Sequence, residues 1–102
     1  MTTPNIHLAY DVDWETFSSA FVHYIEGGLS PSASLRKLES AETKYAVNPE
    51  NIVSLLMKAY PGLMPQGMHD WLYENHYPER TDLLSDKEFD SEIAKKVKEL
   101  AE

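Results

Sequence analysis

The sequence contains no cysteine and only four glycines among its 102 residues. The first absence excludes disulfides, thiol nucleophiles and thiolate-bound zinc, and it fits a reducing compartment. The second leaves little material for a loop that cradles phosphate, and Gly27-Gly28 lacks the lysine such a loop requires. Long apolar runs are also missing: nowhere do about 18 apolar residues follow one another, so no membrane span is expected. No basic stretch followed by an apolar run opens the chain, so no secretory signal is visible and a cytoplasmic location is expected. Basic residues are few, nine against 17 acids, for a net charge of −8.

That deficit is uneven. Residues 1–26 hold four acids and no lysine or arginine, whereas residues 70–92 hold eight acids against Arg80 and Lys87. Direct binding to nucleic-acid phosphates is therefore not expected, and a basic partner is.

What is present is a foldable chain, 42% hydrophobic and 11% aromatic. It suits one domain over 1–102 with its own modest core. Residues 1–5 are expected to be loosely ordered and Ile6–Tyr10 to form a short extended piece. The pattern beyond is that of an all-α protein of four to five short helices. Asp13 marks a helix start, with Val12 and Phe17 as a staple, and Trp14, Phe17, Phe21, Tyr24 and Ile25 recur on one face. Gly27-Gly28 ends that helix. Ser30-Pro31 opens a second, with Leu35, Leu38 and Tyr45 facing inward; its stripe is thin, and shallow burial is expected. Asn48-Pro49 opens a third, apolar nearly all round from Ile52 to Tyr60, which reads as the central helix. A fourth is expected from Gln66 to Asn75. Ser85 and Glu88 form a capping box for a fifth, with Leu84 and Phe89 as staple and Phe89, Ile93, Val97 and Leu100 as its stripe.

Chemistry finds little footing. His69 and His76 lie seven apart, two helical turns or roughly 10 Å, too far to share one metal ion directly. Asp11, Asp13 and Glu15 begin like a calcium loop, but Thr16 and Val22 stand where glycine and glutamate are needed. The run from Asp86 fails likewise, with Ser91 and Val97 at those positions, and Ser30 lacks the glycines of a nucleophile elbow. The expectation is a protein that is not an enzyme and uses neither cofactor nor metal.

Binding is the better candidate. The segment from Tyr60 to Tyr77 is rich in methionine, tyrosine, tryptophan and proline, and aromatics and methionine are enriched at interfaces. Trp71 and Leu72 read as core. Met64, Met68, Tyr73 and Tyr77 are the candidate docking patch, with Met64, Tyr73 and Tyr77 expected to be exposed. Asp70, Glu74, Glu79, Asp82, Asp86 and Asp90, continued by Glu88 and Glu92, are the candidate acidic surface that steers a basic partner. The expected function is to regulate or inhibit another protein by binding it. A nucleic-acid mimic that occupies the channel of a DNA- or RNA-binding enzyme is the first alternative. A weak helix-turn-helix regulator using Arg36, Lys37, Lys44 and Lys58 is the second. A homodimer that covers the patch with a second copy is compatible with all three.

Overall fold

The computed structural model describes residues 2–41, 46–63 and 66–101, and side chains within 14–41, 46–63 and 66–100. Tyr45, Lys44, Met64 and the Val12 staple fall outside the described side chains, as does the packing of residues 1–5. Five helices form and no strand appears among the described residues: α1 (Thr2–Glu26), α2 (Pro31–Ser40), α3 (Pro49–Ala59), α4 (Met68–Glu74) and α5 (Asp86–Ala101). No helix among them is long and apolar enough to cross a membrane.

Local chemistry sets most of the boundaries. Ser30 Oγ accepts from the Ala33 N–H at 3.2 Å, and Pro31 follows at the first helical position, where no N–H is needed. Asn48 Oδ1 caps α3 in the same way, 2.9 Å from the Asn51 N–H. At α5 the box closes from both sides: the Glu88 N–H donates to Ser85 Oγ at 3.1 Å, and the Ser85 N–H donates to Glu88 Oε1 at 3.2 Å. Leu84 and Phe89, the expected staple, are both buried. Gly28 adopts φ +101° just past α1, with Leu29 N–H bonded to Tyr24 O and Gly28 N–H to Ile25 O.

The N-terminal end departs from expectation. α1 begins at Thr2, so the expected extended piece Ile6–Tyr10 and the expected cap Asp13 both lie within it. Pro4 permits this because it falls in the first turn, where a missing N–H breaks no helical bond.

Around α1 the packing order is simple. α1 lies against α2 and α3, α2 also meets α5, and α3 meets α4. The core is one cluster drawn from all five helices and the turns, including Phe17, Phe21, Leu35, Ile52, Leu55, Leu72, Tyr77, Phe89 and Ile93. α3 buries Ile52, Leu55 and Leu56 completely, yet Met57 is 44% exposed, so it shares the centre with α1 and keeps an open side. Leu100 is likewise open, leaving Phe89, Ile93 and Val97 as the packed part of the α5 stripe.

α2 is buried more deeply than its thin stripe suggests. Leu35, Leu38, Ser32 and Ser34 are all inside. The reason is size: short serines let α1 and α5 approach, and their hydroxyls find partners at once. Ser34 Oγ donates to the Ser30 carbonyl at 2.9 Å, and Ser32 Oγ donates to Asp90 Oδ2 at 2.6 Å.

The exit from α4 carries an unusual backbone feature. Tyr77 N–H bonds to Leu72 O and His76 N–H to Tyr73 O, the paired closure of a Schellman motif. Glycine normally occupies the left-handed position of that motif; here it is His76, at φ +53°. Substituting glycine is expected to stabilise the protein by about 0.5–1 kcal/mol. Urea unfolding of His76→Gly checks this, and a loss of stability would mean that the imidazole makes a contact that outweighs the backbone cost.

Candidate functional site

The expected docking patch divides on burial. Leu72 is fully buried, and Trp71 is partly buried with its ring near-parallel to Phe89 at 6.1 Å, in line with a core role. Met68 is 2% exposed and Tyr77 1%, so neither offers a surface. The expected exposure of Tyr77 is thus corrected. Its position in the Schellman motif turns it back towards Leu72, and its ring stacks on Phe89 at 4.6 Å. Tyr73 alone among the described members of the patch points outward, 48% exposed. Its ring meets His69 edge-on at 4.7 Å. Met64 lies outside the described residues.

The acidic run divides as well. Asp86 is tied into a network that spans the molecule. Arg36 on α2 donates from Nε to Oδ2 at 3.2 Å and from Nη2 to Oδ1 at 2.9 Å, a bidentate pair. Tyr77 Oη donates to the same Oδ1 at 2.8 Å. Arg36 also donates to the Pro78 carbonyl and to Glu39, and its guanidinium lies 5.8 Å from the Tyr77 ring centre. These bonds hold the Asp86 carboxyl below its ordinary range, chiefly through Arg36 and then through Tyr77. Burial, reinforced by the bond to Asp86, pushes the Tyr77 hydroxyl well above the usual phenol range. Asp90 accepts from the Ser32 N–H at 2.7 Å and from its hydroxyl, joining α5 to the first turn of α2. Asp82 is paired with Arg80, whose side-chain bond lowers its carboxyl. These three of the expected partner-binding acids therefore have partners inside the fold. Asp70, Glu74 and Glu79 are exposed and form no ion pair among the described residues.

Two lysines of α2 and α3 have partners as well. Lys58 donates to Glu15 Oε1 at 2.8 Å and to the buried Ser18 hydroxyl at 2.9 Å, and Lys37 sits 5.0 Å from the Tyr24 ring centre. The Ser18 hydroxyl is turned to the Trp14 carbonyl at 2.9 Å. Nor are α2 and α3 a principal packing pair, as two helices presenting one to DNA would be.

Beside Tyr73 lies a cleft of about 170 Å³ between the start of α3 and the turn after α4. Val47, Pro49 and Pro78 supply apolar wall, and Tyr73, His76 and Glu79 line it with polar atoms; the Tyr77–Pro78 peptide bond here is cis. Helical periodicity gives no sign of this cleft, because it joins residues nearly thirty positions apart. The trace in the sequence is a histidine standing where the end of α4 calls for glycine. No family model matches the chain, and comparison with curated proteins and with solved structures finds no similar protein.

Proposed function

We propose that this chain is a non-enzymatic protein that regulates or inhibits another protein by binding a basic part of its surface. The contact is the outward face of α4 together with the turn that follows. The observation that carries this reading is Tyr73: a large aromatic, 48% exposed and edge-on to His69, within a segment whose acids Asp70, Glu74 and Glu79 form no ion pair among the described residues. An aromatic anchor ringed by charge of one sign is a common interface composition, the ring supplying contact area and the charge supplying steering. A nucleic-acid mimic needs its carboxylates free, and Asp82, Asp86 and Asp90 are bonded within the fold, which favours the protein-docking reading.

Tyr73→Ala tests it. Tyr73 is a surface residue outside the core, so stability is expected to change by no more than about 0.5 kcal/mol. Affinity for the partner recovered from the native cell is expected to fall at least about tenfold, as measured by calorimetry on the purified pair. Equal affinity of Tyr73→Ala and wild type would sink the reading.

A further inference from the structure

The cleft beside Tyr73 is small, largely apolar in its lining and carries one carboxylate, Glu79, and it is bounded by a residue held in an unfavourable backbone conformation. We propose that it takes an arginine side chain from a basic segment of the partner. This rests on the docking reading above and narrows it to one side-chain type and one place.

Charge complementarity comes first. Glu79 lines the cleft, is exposed and has no ion pair among the described residues, and Glu74 is exposed one residue beyond Tyr73. Two described arginines of this region are already paired. Arg80 is held by Asp82, and Arg36, which reaches the Pro78 carbonyl behind the cleft, is held by Asp86 and Glu39. Among the described residues the Glu79 carboxylate is thus left to a ligand cation, since these two guanidinium groups already have carboxylates of their own.

Shape comes second. A volume of about 170 Å³ suits one long side chain rather than a helix or a folded surface. Val47, Pro49 and Pro78 offer an apolar wall for an aliphatic stem, and the aromatic residues Tyr73 and His76 in the lining suit a flat cation. Arginine fits both ends better than lysine: its guanidinium stacks on rings, is weakly hydrated and meets a carboxylate through two parallel bonds.

The third observation is His76. A left-handed residue at a helix end is cheapest as glycine, and non-glycine residues in sparsely populated conformations tend to gather at ligand sites. His76 is itself one of the residues that line the cleft.

The test is an amide NMR titration of the whole chain with three capped pentapeptides, four alanines around a central arginine, lysine or citrulline. Citrulline keeps the shape of arginine without its charge. The arginine peptide is expected to shift amides at 47–49 and 73–79 in a concentration-dependent way. Lysine is expected to bind about fivefold more weakly, and citrulline weaker still. Glu79→Gln should weaken the arginine response about fivefold, and His76→Gly should weaken it while raising the stability of the fold, an outcome that loss of structure cannot produce. Equal response to arginine and citrulline, shifts spread over the acidic surface without focus on the cleft, or no response at millimolar peptide would each overturn the inference. If the cleft is silent while Tyr73→Ala still weakens the partner, only this inference fails. If Tyr73→Ala leaves the partner bound with wild-type affinity, the docking reading fails with it.

Discussion

Tyr77→Ala is expected to destabilise the protein by about 3–5 kcal/mol, a large share of the roughly 5–15 kcal/mol that holds a domain of this size. The side chain is 1% exposed, and its ring stacks on Phe89 with the two planes only 15° apart. Truncation would therefore open a cavity where the turn after α4 meets the first turns of α5, and would strip Asp86 of one donor. Tyr77→Phe separates the two contributions. It keeps the ring and loses only the 2.8 Å bond to Asp86, for an expected cost of about 1–2 kcal/mol. Urea unfolding of both variants is the measurement. A loss below about 1 kcal/mol for the alanine variant would mean that Tyr77 behaves as a surface residue, as its sequence context suggests.

That context misleads for a definite reason. Where the chain is regular, the residues announce its structure: Ser30-Pro31, Asn48-Pro49 and the Ser85–Glu88 box each start a helix where they should. Helical counting stops at Glu74, and beyond it spacing no longer tells which way a side chain points. A glycine at position 76 would have flagged the Schellman motif, and with it the inward turn of the following residue towards Leu72. His76 hides that sign. The acidic run misleads differently. Charge density along the chain reads as surface, but Arg36 and Asp86 are 50 residues apart and Ser32 and Asp90 are 58 apart, separations that no local pattern encodes. α2 follows the same logic, since serines that look polar in sequence are the small residues that admit its neighbours. Of the candidate site, Tyr73 and the acids Asp70, Glu74 and Glu79 are legible in the sequence. The cleft depends on tertiary contact and was not legible.

The committed acids lead to the second large effect. Asp86→Ala is expected to cost about 2–3 kcal/mol, because it removes a bidentate guanidinium partner and leaves the buried Tyr77 hydroxyl without its acceptor. The pair is partly open to water, 33% exposed at Arg36 and 38% at Asp86, so the larger penalties of fully buried ion pairs do not apply. Asp86→Asn, which keeps an acceptor for Tyr77, should cost less. Acid titration gives the independent readout. The folded-state pKa of Asp86 lies below its unfolded value, so at acid pH the unfolded chain binds more protons than the native one. Its contribution is therefore complete above the unfolded value of about 3.9 and is lost as pH falls through the folded one. Wild-type stability should drop across that window, and Asp86→Asn should flatten the drop. Glu15 and Asp82 are also lowered by their lysine and arginine partners, but both are mostly open to water. Salt at about 0.5 M screens such surface pairs and spares the half-buried one, so the limb attributable to Asp86 should persist there. An acid limb identical in wild type and Asp86→Asn under those conditions would remove Asp86 from the interactions that hold α2 to α5.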